Sequence, residues 1–546
     1  MDFYGKHKKI ITTAGGLFVY ALGLFAVLFY LYKRCRGEYN ADYTDTILWA
    51  NASVECGKFC NPDYWYAYFL PFSGIPIMIP IVAVFGLTYF SHQLGMTVFV
   101  LIFAAALYFF MRSADLPPAH ALALSGVTLI IMCASQTTRM IFYGHVIHYS
   151  LSILFMAVAF LLLKHSTVFT HENKSARIFT LLVPVWCMLC CTNGMATIIL
   201  FFIPFVGSVI FERYIDPRPF TLEGDKHFIQ TIALFIAGGL CGFAIKLTAF
   251  GNMDYEDSIT ALLPSDGWVW KQSPFLNEWI KVLTDFSEDD VMMMSFDGIR
   301  ILCMYGLALI ILIVPVFAAI SYRKIKNRMI RLVIIFYWIM FFMTLLTYSI
   351  SYALVSFWRL AGLACAAVIT TLLFMVYMLR KRQHVRFVVL LIPVFAVCSI
   401  VSLINLKKLP SAVNTNQNDQ LIEILKENDL KRGYSFFWNG ANAVNVLSDN
   451  EIVISPIETY EDGTYMVKRY QSEAWQYEDA PGIDRYFVIV DGGDMENLRD
   501  TLGANKIDEI KYQDNLYIWV FDRNIFKDLK PVFSEVSRYD KGGSGE

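Results

Sequence analysis

The chain has 546 residues, 56% of them hydrophobic and only 17% charged, with a mean hydropathy of +0.48 and a formal net charge of −2. Soluble proteins carry about a quarter charged residues, so this composition excludes a string of ordinary soluble domains, as well as a disordered chain, a collagen or a disulfide miniprotein. The near-neutral charge leaves no electrostatic footprint for nucleic acid, and none is expected as a partner.

The hydrophobic excess is unevenly spread. Apolar runs of membrane length recur from Ile10 to Leu406, and the remainder reads as soluble. The first run, Ile10–Tyr32, follows Lys6, Lys8 and Lys9. It is too long for a signal-peptide core and lacks a small-residue cleavage site, so it reads as an uncleaved first span.

The loop after it, within residues 34–92, carries the densest chemistry. Asp42 and Asp45 stand three apart, and Ile47, Ala50 and Val54 recur at helical spacing. A helix starting near Asp42 would hold both carboxylates at its positive N-terminal end. That end favours the ionised form a general base needs. An Asp N-cap followed by a first-turn acid satisfies the same pattern. Cys56 and Cys60 are near enough to pair, whereas Cys-x3-Cys without a further ligand is a poor metal signature. Most of the other cysteines lie in apolar runs, where Cys behaves as a small hydrophobe.

The next run, Leu70–Phe90, holds Pro71, Pro76 and Pro80. Three prolines break the backbone ladder that a lipid-facing helix requires. If this piece does not cross the membrane and the N-terminus is inside, the inner loops hold nineteen Lys and Arg and the outer loops nine. If it crosses, the bias inverts against the positive-inside rule. The expectation is therefore a juxtamembrane or re-entrant piece, about eleven spans, a cytoplasmic N-terminus and an outer tail. Lys33, Arg34 and Arg36 run against the rule.

The remaining spans are expected at Leu94–Arg112, His120–Ser135, Val146–Lys164, Ile178–Cys191, Ala196–Phe211, Phe228–Thr248, Ile299–Ser321, Leu332–Ser351, Leu360–Leu379 and Phe387–Leu406. Thr192-Asn-Gly194 between two of them suits a tight hairpin. Scarce charges gather at the expected outer ends: Arg139 with His145 and His148, then Lys246, then Arg359 beside aromatic residues. Charge at a membrane edge marks a functional candidate, here for an anionic lipid group; anchoring at a wet interface is the plainer alternative. The loop 249–298 is acidic and aromatic, with Asp254, Glu256, Asp257, Trp268, Trp270 and Trp279. Its carboxylates suit sugar hydroxyls or a cation, its Trp faces suit sugar stacking, and its length suits a lid.

The tail, 407–540, alternates helix and strand patterns: a helix at Gln420–Asn428, strands at Tyr434–Trp438, Ile452–Ile457, Tyr486–Val490 and Leu516–Phe521, and a helix at Met495–Leu502. This is a small α/β domain. Asp491-Gly-Gly-Asp494 lacks phosphate-binding glycine spacing, and its acids would repel a phosphate. The last six residues, 541–546, read as a cloning scar.

The first outer loop resembles that of the GT-C membrane glycosyltransferases, the group that includes lipid A aminoarabinose transferases and protein O-mannosyltransferases. In that pattern a catalytic Asp opens a helix, with an Ala eight and a Gly fifteen positions on, then a Pro, then a Pro-rich juxtamembrane piece ending near Phe-Gly. Here Asp42, Ala50, Gly57, Asn61-Pro62 and Pro71 through Phe85-Gly86 fill those places. Tyr43 stands where many members have a second acid, and their Pro-Pro pair is missing.

The resemblance implies a polytopic α-helical fold of about eleven spans, residues 1–406, with an extracytoplasmic α/β domain. It implies an inverting transfer from a polyprenyl-phosphate sugar to a glycan or glycolipid of the cell envelope, at the outer face of a bacterial cytoplasmic membrane. Asp42 would be the base, with Asp45 as neighbour or substitute. Arg359, Arg139, His145, His148 and Lys246 would meet the lipid phosphate, and Tyr43, Asp254, Glu256 and Asp257 the substrate. A divalent cation is neither required nor excluded, and no other cofactor is expected. A polysaccharide polymerase or ligase would rely on Arg and His in an outer loop, which Arg139, His145 and His148 allow. A flippase or transporter would show inverted repeats and mid-membrane charges, and the sequence has no such repeat.

Overall fold

A computed structural model describes residues 2–170, 173–215, 220–221, 224–253, 255, 274–285, 291–351, 355–382, 385–409, 416–459, 465–467, 471–493, 502–513 and 515–527. The chain divides into two compact units. One comprises 1–31, 97–250 and 258–409, and the other 32–96, 251–257 and 410–546.

The first unit is the helical bundle. Ten of the chain's described helices are long and apolar enough to cross a membrane, and eleven if one bent pair counts as a single span. The expected count of about eleven stands on that bent pair. Where a span was expected at His120–Ser135, a helix runs over Pro118–Ile131 and a second begins at Gln136, turned by 118°. The break is local chemistry: the Ser135 side chain accepts from the Thr138 backbone N–H, and the Thr138 side chain accepts from that of Ser135. This capping box starts a new helix inside an apolar run. The Thr192–Gly194 hairpin is present, with Gly194 at φ +85° between Lys174–Cys191 and Met195–Ile215.

Small residues set the closest approaches. A Cβ on Gly126 would lie 2.4 Å from the Val19 carbonyl oxygen, and one on Gly16 would lie 2.2 Å from that of Ala119. The first helix and Pro118–Ile131 thus meet backbone to backbone. Between membrane helices such approach gains dispersion energy where no hydrophobic force operates. Phe357–Arg380 is the bundle's centre, buried continuously from Leu360 to Met378.

The loop 249–298 was expected as an acidic segment whose Trp faces suit sugar stacking and whose length suits a lid. Its described part instead contains the helix Phe275–Thr284, whose Trp279 is fully buried and donates to the Ala308 carbonyl at 2.8 Å. Trp279 is therefore a packing residue and not a sugar platform. Its helix has a strongly one-sided apolar face, which buries Val282 and Leu283 with it.

The second unit joins the loop after the first span to the tail. The Pro-rich piece is a short helix, Ile75–Phe85, with Pro76 in its first turn, Pro80 inside and Gly74 and Gly86 at its ends. Eleven residues span about 16 Å, half of the roughly 30 Å hydrocarbon core, so this helix is too short to cross. Ile75, Met78 and Val82 are buried, while Val84 and Phe85 are exposed.

The tail is built on a six-stranded sheet. We label the strands β1 (Tyr64–Trp65), β2 (Arg432–Phe436), β3 (Val453–Thr459), β4 (Tyr465–Val467), β5 (Ser472–Glu473), β6 (Tyr486–Asp491), β7 (Asp508–Gln513) and β8 (Leu516–Phe521). The order is β4-β3-β2-β6-β8-β7, with β2 parallel to β3 and β6 and the other pairs antiparallel. The four expected strands are the central ones, and the expected helix is Gln417–Glu427. The edge strands β4 and β7 were not expected; Asp508–Gln513 is polar and half-exposed, so it carries no apolar signature. The helix expected at Met495–Leu502 lies almost wholly outside the described residues, as does the 541–546 tail end. Tyr434, Tyr477, Tyr486, Trp519 and Phe521 centre the core. β1, from the loop after the first span, pairs antiparallel with β5 from the tail.

Candidate active site

Asp42 does not open an α-helix. It lies in a 3-10 turn, Ala41–Thr44, and the α-helix Asp45–Cys56 follows directly. The Asn40 side chain caps this turn by accepting from the Asp42 backbone N–H at 3.0 Å. With three residues per 3-10 turn, Asp45 falls one turn below Asp42. The two carboxylates differ in surroundings. Asp42 is half-exposed, whereas Asp45 is 4% exposed. Burial, with the Asp45 carboxylate nearby, drives the Tyr64 hydroxyl well above its ordinary pKa. Asp42 can thus reach a ligand from solvent and Asp45 is enclosed. Tyr43, expected at the substrate, is fully buried and packs against Tyr39 at 5.3 Å, so it is a core residue. Ala50 is fully buried, and Gly57 ends the helix in the left-handed region at φ +67°.

Both flanks of the turn are held by the tail. The Arg36 guanidinium pairs with Asp419, and the Asn416 amide donates to the carbonyls of Arg36 and Tyr39 at 2.6 and 2.9 Å. The Thr44 hydroxyl donates to the Gln471 amide oxygen at 2.6 Å. Further along, Asn61 donates to Glu473 at 2.6 Å, and the Gln471 backbone N–H to the Trp65 carbonyl at 2.7 Å. Cys56 and Cys60 are free thiols, and burial pushes the Cys60 thiol up to about 12.

Burial raises the Glu473 carboxyl above its ordinary 4.5, and nearby Glu55 and Asp63 add to this, against the lowering hydrogen bonds from Trp475 and Asn61. A carboxyl whose folded pKa is raised favours the fold while protonated. Its contribution is complete below the unfolded value and fades as pH rises through the folded one. The expected result is that Glu473→Gln removes part of the fall in Tm with rising pH above about 4.5; unchanged Tm-against-pH curves for the two proteins would contradict it.

In the bundle unit the remaining candidates converge from distant positions. His148 opens His148–His165, Lys246 lies in the last turn of Lys226–Ala249, and Arg359 lies in the first turn of Phe357–Arg380. His148 sits within electrostatic reach of His145, Arg359 and Lys246. The Arg359 guanidinium stacks on Trp358 at 4.6 Å and near Tyr348 at 5.7 Å, and the Tyr348 hydroxyl faces that of Tyr149 at 3.4 Å. Lys246 is 7% exposed and its ammonium abuts Gly194, where a Cβ would come within 2.2 Å of it. A cleft lined by His148, Ala196, Leu200, Thr344, Thr347 and Tyr348 opens beside the cluster. Lysine and arginine within electrostatic reach of one histidine suit an anionic group such as a phosphate.

Arg139 is 1% exposed, donates to the Cys133 carbonyl at 3.0 Å and lies 5.6 Å from the Tyr30 ring, which holds it at the bend after Pro118–Ile131. His145 is buried, and its backbone N–H closes the turn onto the Met140 carbonyl at 2.7 Å. Asp254, Glu256 and Asp257, with Trp268 and Trp270, lie outside the described residues. Among the described residues no group of three or more His, Cys, Asp or Glu side chains could hold a metal ion. Sequence reasoning did not find Thr44, Asn416, Gln471 or Glu473, because each matters through a partner hundreds of positions away, and no local pattern records that.

No family model and no curated protein matches the sequence. Among solved structures the chain is similar to the crystal structure of ArnT from Cupriavidus metallidurans bound to undecaprenyl phosphate, at 10% identity over 94% of this chain and 97% of that one, with a TM-score of 0.49.

Proposed function

We propose that this protein is an inverting membrane glycosyltransferase of the GT-C kind, which moves a sugar from a polyprenyl-phosphate carrier to a hydroxyl of a cell-envelope glycan or glycolipid. The observation that carries the reading is the cluster of Lys246, His148 and Arg359. Helices far apart in sequence bring these groups within electrostatic reach of one another at one end of the bundle. The half-exposed Asp42, in the motif that resembles the family's catalytic loop, supports it.

In this reading the Asp42 carboxylate takes the proton of the acceptor hydroxyl as its oxygen bonds to the anomeric carbon. The bond from that carbon to the phosphate oxygen breaks, and its electron pair leaves with the phosphate. One displacement inverts the anomeric centre. Lys246 and Arg359 offset the charge gained by the leaving phosphate, where low dielectric strengthens the interaction. The reaction site faces outward, the N-terminus is cytoplasmic, and the tail is extracytoplasmic.

The test is incubation of the purified full-length protein with a panel of polyprenyl-phosphate sugars and envelope acceptors, comparing wild type with Asp42→Asn and Asp45→Asn. If the wild type transfers from none of the donors, or both variants keep full activity, the reading fails. The phosphate assignment has its own measurement. Arg359→Gln and Lys246→Met are each expected to weaken polyprenyl-phosphate binding about tenfold or more, as a charged hydrogen bond is lost. Binding unchanged in both variants would place the phosphate elsewhere.

A further inference from the structure

The tail does more than cover the first outer loop. Thr44 closes the 3-10 turn that bears Asp42, its hydroxyl also meeting the Ala41 carbonyl at 2.7 Å. The same hydroxyl meets Gln471 at 2.6 Å, 427 residues away. Gln471 is itself fixed: it is 2% exposed, sits in the left-handed region at φ +57°, accepts from the Asn442 amide at 3.2 Å and donates its backbone N–H to Trp65. A non-glycine residue at positive φ costs energy and persists only where its surroundings over-determine it. Here a buried amide bond, a backbone bond and the adjoining β1–β5 pair do so. Thr44 lies between Asp42 and Asp45, so whatever holds it sets the turn from which both carboxylates project.

We propose that Gln471 is a positioning residue, through which the C-terminal domain holds the Asp42 turn in its reactive geometry. The identity of Asp42 as the base rests on the function proposed above; the grip of the tail on the turn does not. The hydrogen bond is buried at both ends, and its loss leaves Thr44 with the Ala41 carbonyl alone and Gln471 with the Asn442 amide alone, so the expected consequence is a looser turn. A misplacement of about 1 Å at a reacting group can lower a rate about a hundredfold.

The experiment uses the full chain and two readouts. Thr44→Val matches the side chain in shape and removes the hydroxyl, Thr44→Ser keeps it, and Gln471→Ala removes the partner. Amide hydrogen exchange over residues 41–48 is expected to accelerate about tenfold or more in Thr44→Val and Gln471→Ala and to stay at the wild-type rate in Thr44→Ser. Transfer activity is expected to lose between ten- and a hundredfold in kcat in the first two, with the donor KM unchanged, and to survive in Thr44→Ser. Unchanged exchange in Thr44→Val overturns the proposal. So does accelerated exchange with full kcat while Asp42→Asn is inactive. If Gln471→Ala does not fold, Gln471→Met, which keeps the bulk and loses the amide, takes its place, because Thr44→Val also removes the bond to the Ala41 carbonyl. If Asp42→Asn keeps full activity, the assignment of the base fails, and exchange still decides whether the tail holds the turn.

Discussion

Asp42→Asn is expected to lower kcat by about 10²–10⁴-fold, the range that a general base contributes. The substitution is close to isosteric and leaves the Asn40 cap on the residue's backbone N–H, so folding should survive. The loss should fall on kcat with little change in donor KM, because the proton moves only in the transition state. The acidic limb of the kcat/KM profile, which reports protonation of the free base, should flatten in the variant. Asp45→Asn is expected to behave differently. Asp45 is enclosed and begins the α-helix, so its replacement should lower Tm by more and kcat by less than Asp42→Asn does. Steady-state kinetics and thermal melts of both variants check the pair. Equal kinetic losses would mean that the carboxylates act as one unit.

Gly126→Leu should break the bundle. The backbone of the first helix already occupies the place of the new Cβ, which would lie 2.4 Å from the Val19 carbonyl oxygen and 2.8 Å from the Tyr20 Cα. Backbone atoms cannot turn aside as a flexible side chain can, so the two helices must part. Neighbouring contacts at Gly16 and Gly23 would be lost with them, since a Cβ at either glycine also meets backbone at 2.8 Å or less. Overpacking alone costs about 1–3 kcal/mol, with more expected here because the contact is backbone to backbone. The measurement is the fraction of monodisperse protein and its Tm in detergent. Gly306→Ala is the control, because nothing lies within 4 Å of a Cβ there and alanine is the better helix former. Equal stability of the Gly126 and Gly306 variants would show that the helix pair is not as close as described.

The spans were legible because the bilayer imposes one rule on all of them. Every lipid-facing backbone must bond to itself, which requires about 20 apolar residues in a row. The exception shows the limit of that rule. His120–Ser135 passed on apolarity, yet Ser135 and Thr138 cap a new helix inside it. A Ser-x-x-Thr pattern was the available signal, and a hydropathy count is blind to it. The short Pro-rich helix was legible for the opposite reason, since Pro76 and Pro80 each remove a donor and so limit its length. In the tail, nearly continuous apolar runs gave away β6 and β8, which are central. The polar edge strand β7 is held by its neighbour and not by its own pattern.

For the proposed site, sequence singled out Asp42 and Asp45 through the resemblance of their loop, and Arg139, His145, His148, Lys246 and Arg359 as scarce charges at span ends in a chain with 17% charged residues. It could not separate Asp42 from Asp45. Burial distinguishes their surroundings, and burial depends on what the helix after them packs against. It also could not demote Tyr43 and Trp279, since an aromatic ring is equally suited to a core and to a sugar. That Lys246 and Arg359 lie within electrostatic reach of His148 is decided by helix packing, which no local spacing encodes. The same is true of the tail's hold on the Asp42 turn, where Thr44 and Gln471 are 427 positions apart. Local rules determined what each segment is, because backbone satisfaction in lipid and in sheets is a short-range demand. Only the tertiary structure decided which segments act together, because a hydrogen bond between distant residues leaves no periodic trace in either one.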